Sequence, residues 1–189
     1  ILSHSSVAIA GLGGLGSNIA MYLARAGVGH LHLVDFDKVD ITNLNRQQYD
    51  IADLGTLKTD ALTKNIKRFN PFIEITSQCV KVNEDNAAEI FGGYKIVCEA
   101  FDKAENKAML VNSILSECGD TKIVSGSGMA GFGSSNTIVT RKINDRFYLC
   151  GDAESDMNDG LALAAPRVAI CAAHEANMIL RLLIGEKEV

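Results

Sequence analysis

No C-x-x-C pair occurs anywhere in this sequence. Its five cysteines (Cys79, Cys98, Cys118, Cys150 and Cys171) are odd in number and far apart. That spacing argues against a disulfide framework and against a structural zinc site built on cysteine. Reduced thiols in a cytoplasmic protein are the plain reading, with Cys79, Cys98 and Cys171, which sit in apolar runs, expected in the core. Long apolar runs are also missing: none approaches the roughly 20 residues needed to span a bilayer. The longest apolar-rich stretch, residues 161–184, is interrupted by Pro166, Arg167, His174, Glu175, Asn177 and Arg181. Positive charge is not in excess, since 18 Lys and Arg stand against 23 Asp and Glu for a net charge of −5, a balance that does not suit a broad nucleic-acid footprint. Internal repeats, low-complexity tracts and a signal-peptide pattern are absent too, and the chain opens almost directly on its first strand.

What is present is an ordinary soluble balance. The 189 residues are 47% hydrophobic and 22% charged, enough for one domain with a real core. Strands are expected at residues 7–10, 31–34, 72–82, 94–100 and 122–127. Helices are expected at 16–26, where Ile19, Ala20, Leu23 and Ala26 form one apolar face, and at 57–69, 85–91 and 103–117. Residues 136–142 and 146–150 read as a hairpin. Pro166 opens a final helix reaching residue 184, with Gly185 as its cap. Strands alternating with helices predict an α/β, doubly wound, mostly parallel Rossmann-like sheet with antiparallel edge strands. Residues 1–127 form its nucleotide-binding core, 128–165 an edge hairpin and crossover loop, and 166–189 the last helix.

The chemistry concentrates between residues 7 and 46. An apolar strand meets Gly11, Gly13, Gly14 and Gly16, with Gly11, Gly13 and Gly16 in the G-x-G-x-x-G spacing that follows a strand and opens a helix. Such glycines let the backbone turn, let a phosphate approach and let helix pack on strand, while free N–H groups at the helix start favour an anion. Asp35, ending the second strand, can accept hydrogen bonds from both hydroxyls of a ribose. Beyond it lies an irregular polar segment with Asp37, Asn43, Asn45, Arg46, Gln47 and Gln48 close together. A hydride-transfer enzyme has no general need for such a cluster, whereas an enzyme handling a triphosphate must neutralise several phosphates at once. Lys58 and Asp102 complete the series. Read singly, each has a plainer meaning: Arg46 a solvated loop charge, Lys58 a first-turn surface lysine, Asp102 a cap for the helix that follows it. Gln47 reads as a support for its loop, and His174 as a satisfied interior or interface residue.

In order, these motifs resemble the ThiF, MoeB and HesA family of adenylyltransferases, relatives of the ubiquitin-activating enzymes. The resemblance rests on the glycine loop, D-F-D-K-V-D-I-T-N-L-N-R-Q-Q, Lys58, Phe101-Asp102 and G-L-A-L-A-A-P-R-V. The pieces E-A-F-D-K-A-E-N-K and S-G-M-A-G-F-G-S-S-N-T, with the tail N-M-I-L-R-L-L-I-G, are most similar to the short, zinc-free ThiF family 2 of thiamine biosynthesis. The resemblance implies ATP and Mg2+ as cofactors, and adenylation of the C-terminal glycine of a small ubiquitin-fold sulfur carrier with a Gly-Gly tail. It implies Asp35 on the ribose, Asn43, Arg46 and Lys58 on the phosphates, Asp102 on magnesium, and a homodimer.

The sequence departs from that pattern in three places. The two C-x-x-C pairs that hold zinc in many members are missing, so no structural zinc is expected. The loop E-S-D-M-N-D-G lacks the cysteine that joins some members to their carrier; Cys150 is the nearest thiol and reads better as a hairpin-end residue. No N-terminal helix with an arginine for the partner subunit's ATP precedes the first strand. Residues 151–165 are expected to cross over the carrier's tail and to be mobile without it. Other readings are a different carrier (MoaD-like), a small-molecule or tRNA substrate, an NAD-dependent oxidoreductase supported by the glycines and Asp35 alone, and a non-catalytic carrier-binding scaffold.

Overall fold

The computed structural model describes residues 1–155 and 160–189. Among the described residues seven strands form one sheet in the order β3-β2-β1-β4-β5-β7-β6. They are β1 (Ser6–Ala10), β2 (His30–Val34), β3 (Glu74–Gln78), β4 (Ile96–Glu99), β5 (Lys122–Gly126), β6 (Val139–Lys142) and β7 (Phe147–Gly151). The α-helices of the described residues flank it: α1 (Gly14–Arg25), α2 (Lys58–Lys67), α3 (Glu84–Phe91), α4 (Ala104–Glu117) and α5 (Ala165–Leu183). The first five strands run parallel, and β7 joins β5 in parallel. Among the strands of the described residues, β6 alone is antiparallel, against β7. The hairpin therefore contributes one antiparallel edge strand, with its second arm facing inward.

Period-two alternation divides the core. Val7, Ile9, Leu31, Leu33 and Cys98 face one side, where α1, α2 and α5 deliver Ile19, Leu23, Leu62, Ile66, Ala172 and Ile179. Ala8, Ala10, Val34, Val97 and Ile123 face the other, against Phe91 of α3 and Leu110 and Ile114 of α4. Strands covered on both faces read as continuous apolar runs, as β1 does. Each large side chain fully buried here contributes roughly 1.5–3 kcal/mol. Pro166 sits in the first turn of α5, where its missing N–H breaks no intrahelical bond.

Two expectations fail at the sheet edge. The strand foreseen over residues 72–82 is only Glu74–Gln78, and Phe72 is 94% exposed. Cys79, expected in the core, is exposed. The reason is position: β3 is the outermost strand beside β2, so its side chains lack the second layer that covers central strands. Ala26 is likewise exposed, lying just past the end of α1 rather than on its apolar face. Cys98, Cys118, Cys150 and Cys171 are buried. Among the described residues no helix is long and apolar enough to cross a membrane.

Candidate nucleotide site

Strand order reverses between β1 and β4, and a crevice opens at the carboxyl ends of parallel strands at such a switch point. A cavity of about 620 Å³ lies there, with Gly11, Gly13, Gly14, Asp35, Asp37, Asn43, Arg46, Lys58 and Asp102 among its lining residues. Sequence positions from 11 to 102 thus meet in one place. Gly16 does not line it. A Cβ at Gly16 would stand 1.8 Å from the Gly11 carbonyl oxygen, so Gly16 serves the packing of α1 on the loop. Gly11 has φ +89°, and a Cβ there would stand 2.8 Å from the Ala100 carbonyl. Gly13 differs: nothing in the protein comes nearer than 3.8 Å to where its Cβ would be. The space over Gly13 is open, and Gly13 lines the cavity.

Asp35 is 8% exposed, and its two carboxylate oxygens accept the N–H of Leu12 at 2.6 Å and of Asp37 at 2.8 Å. These bonds fix the carboxylate at the cavity edge while leaving lone pairs for further donors. Burial pushes the Asp35 carboxyl above the ordinary aspartate value, against the Lys58 ammonium and the two N–H donors, which pull it down. Phe36, Val80 and Val82 give this end of the cavity an apolar wall, suited to the flat face of a base.

The polar segment 41–49 is bolted to α1 rather than free. Asp40 and Asn43 cap a short 3₁₀ turn reciprocally. The Asn43 side-chain oxygen accepts the Asp40 N–H at 2.9 Å, which turns the loop and leaves the amide nitrogen as the group able to donate outward. Asn18 donates to the Arg46 carbonyl at 3.0 Å, Gln48 donates back to Asn18 at 2.6 Å, and Tyr49 donates to the Leu12 carbonyl at 2.8 Å. Sequence reading missed Ser17, Asn18 and Tyr49 as parts of the site; the signal available was two adjacent polar residues at the start of an otherwise apolar helix.

Arg46 donates to the Thr42 carbonyl at 3.2 Å and to the Asn45 side chain at 2.8 Å. Its Nε is buried with no partner among the described residues, and so is the side-chain oxygen of Gln47. That Nε lies 3.5 Å from where a Gly14 Cβ would be, so the guanidinium stands over the glycine loop. A guanidinium lining the cavity beside the open Gly13 backbone suits a phosphate. Lys58, 6% exposed, opens α2 and pairs with Asp37 at 2.9 Å; it is no surface lysine. Asp102 is exposed and caps nothing, since the N-cap of α4 is Lys103 without a side-chain cap. Its carboxylate stays available to a hard cation such as magnesium.

Cys150 is fully buried beside Thr140, 3.5 Å away. Burial first, and the neighbouring Glu175 second, push its thiol up to about 12, so it is a poor nucleophile. His174 is half-buried with Nδ1 3.1 Å from the Thr140 hydroxyl, a satisfied interior contact. The crossover expected over 151–165 falls partly on residues 156–159, outside the described residues.

Comparison with known proteins gives a family and a fold. The model of the ThiF family matches residues 1–189. The adenylyltransferase and sulfurtransferase UBA4 of Scheffersomyces stipitis is 39% identical over 129 residues, 68% of this chain and 29% of that protein. MOCS3 of Caenorhabditis briggsae, described in the same words, is 38% identical over 114 residues, 60% of this chain and 28% of that protein. The chain thus spans under a third of the length of these curated relatives. Among solved structures, the E. coli tRNA N6-threonylcarbamoyladenosine dehydratase TcdA in complex with ATP superposes with a TM-score of 0.87 at 22% identity, covering 97% of this chain and 87% of that one. E. coli MccB with ATP gives 0.75 at 21% identity, covering 98% and 58%. These likenesses show the fold, and the family match over the whole length shows that this chain belongs to the ThiF family.

Proposed function

We propose that this protein is an ATP-dependent adenylyltransferase that activates the C-terminal glycine carboxylate of a small ubiquitin-fold sulfur carrier, the ThiS-like carrier of thiamine biosynthesis. The observation that carries the reading is the convergence of Arg46, buried Lys58 and exposed Asp102 on one cavity beside the open Gly13 backbone. That is a site for several phosphates and a cation, and a hydride-transfer cofactor would leave most of it idle. The names of UBA4 and MOCS3 point the same way. The thiamine assignment rests on the motif resemblance, as do the homodimer, the cytoplasmic setting and magnesium.

In this reading Asp35 takes the ribose hydroxyls, while Asn43, Arg46 and Lys58 hold the phosphates in line. A carboxylate oxygen of the carrier's terminal glycine forms a bond to the α-phosphorus. The bond to the bridging oxygen breaks, its electron pair leaves with pyrophosphate, and an acyl-adenylate remains. No proton moves in that step, so the chain's task is positioning and charge stabilisation. Asp102 would hold magnesium, which would supply charge neutralisation on the phosphate oxygens.

A second reading has a specific basis in the likeness to TcdA, a tRNA N6-threonylcarbamoyladenosine dehydratase: activation of a small carboxylate carried on tRNA. The net charge of −5 counts against it. One experiment separates the two. The protein is mixed with ATP, magnesium and candidate carriers ending in Gly-Gly, and the carriers are weighed. A carrier heavier by one AMP is the expected result; adenylation on tRNA with every carrier unmodified would replace the reading by the second.

A further inference from the structure

Asp102 is exposed, caps no helix, and joins no ion pair among the described residues. Its location is therefore set by the backbone turn that carries it. One side of that turn rests on the glycine loop, where the Ala100 carbonyl and the Phe101 ring fill the space a Gly11 side chain would need. The other side rests on a single carboxylate. Glu99, fully buried at the end of β4, accepts the Phe101 N–H at 2.6 Å through Oε1. Its Oε2 accepts the Ser125 hydroxyl at 2.5 Å and the Lys107 ammonium at 3.1 Å.

Glu99 thus joins the β4–α4 turn, helix α4 and the end of β5 at one point beneath the cavity. A buried charge pair is weak evidence of stabilisation, because desolvation offsets most of its attraction and apolar residues of similar volume often fold as well. What such a pair does supply is a fixed geometry, with every acceptor oxygen engaged. From this arrangement we propose that Glu99 is a positioning residue: it never touches substrate, and it holds the Phe101–Asp102 turn so that the Asp102 carboxylate meets the metal of a metal–ATP complex. This rests on the role given to Asp102 above. Partners one step behind a metal ligand typically govern metal affinity by about 10- to 100-fold.

The test is calorimetric titration of ATP into the whole chain, once with EDTA and once with magnesium, in the absence of any carrier. Magnesium should tighten ATP binding to the unaltered protein. In Glu99→Gln that tightening should shrink by about 10-fold, while the metal-free Kd stays within about twofold. Asp102→Ala should lose the same factor. The double variant should lose no more than either single one, because both act through one contact. Ser125→Ala, which removes one donor from Glu99 and does not line the cavity, should cost about threefold in the same factor and serves if Glu99→Gln does not fold. The inference is overturned if either Glu99→Gln or Ser125→Ala keeps the full magnesium effect. It is equally overturned if the loss appears in the metal-free titration, or if the double variant loses the two factors independently. Failure of Asp102→Ala to lose the effect removes the Asp102 assignment and this inference together. Failure of the unaltered protein to bind ATP removes the functional reading itself.

Discussion

The Lys58 ammonium stands 2.9 Å from the Asp37 carboxylate, with the lysine side chain 7% exposed and the aspartate 49%. The lysine also donates its backbone N–H to the Asp37 carbonyl at 3.0 Å. The first residue of α2 is thereby tied to the loop that leaves β2, across 21 positions of sequence. Asp37 aims the ammonium into the cavity while remaining wet enough to lose its partner cheaply. Lys58→Met should therefore lower adenylation about 100-fold, the scale for removing one preorganised donor from a developing charge. Stability should change by no more than about 1 kcal/mol, since the surviving aspartate is solvated. Pyrophosphate exchange and urea unfolding on the same preparation check both halves; a large stability loss would make Lys58 a folding residue.

Two glycines one turn apart should answer differently. A Cβ at Gly13 meets nothing within 3.8 Å, whereas one at Gly16 meets the Gly11 carbonyl at 1.8 Å. Gly13→Ala should keep the thermal midpoint nearly unchanged and weaken ATP binding about 10-fold or more, because only the approaching phosphate feels the methyl group. Gly16→Ala should lose at least roughly 1–3 kcal/mol of stability through the overpacked contact of helix on loop. Equal destabilisation by the two would contradict a ligand role for Gly13.

How much of this was legible in the sequence follows from how local each signal is. The glycine loop, the central strands and α5 carry their instructions within a few residues, and they fold where periodicity puts them. The edge strand does not: residues 72–82 alternate well enough, but whether a second layer covers them depends on sheet order, which no local pattern states. Site residues divide in the same way. Asp35 and the segment beyond it announce themselves by composition. Glu99 does not, because within an apolar strand a glutamate looks like an exception, and its meaning depends on Ser125 and Lys107 arriving from other elements. Asn18 and Tyr49 were hidden for the same reason, as their partners lie 28 and 37 positions away.

Thiol reactivity separates the misplaced cysteine from the rest. Cys79 is exposed past the end of β3, and the other four are buried. Burial raises the thiols of Cys98, Cys118, Cys150 and Cys171 above their ordinary value. A brief pulse of maleimide near neutral pH should add one label, on the peptide containing Cys79. Cys150→Ser should leave adenylation within about twofold, since a thiol raised to about 12 attacks poorly. Rapid labelling of Cys150 in the native protein would reopen its candidacy as the residue that joins the carrier.

Glu175 gives the pH dependence. It is fully buried in α5, with the thiols of Cys98 at 3.7 Å and Cys171 at 3.8 Å, and it stands where a Gly126 side chain would be. Burial pushes its carboxyl to about 8 and the charge of Glu99 adds to the rise, while Lys107 and the two thiols oppose it. In the unfolded chain the same group loses its proton near the ordinary 4.5. Between those values the folded state keeps a proton that the unfolded state has released, so stability falls as pH rises, by up to roughly 1.4 kcal/mol per pH unit. The contribution is whole below the lower value and gone once the pH has passed the upper one. Glu175→Gln mimics the protonated form and has no proton to lose. Relative to the unaltered protein, it should gain stability steadily from about pH 5 to about pH 8 and no further beyond. Urea midpoints across that range decide the matter: a difference that does not change with pH would mean that Glu175 has already lost its proton in the folded state, as it has in the unfolded one.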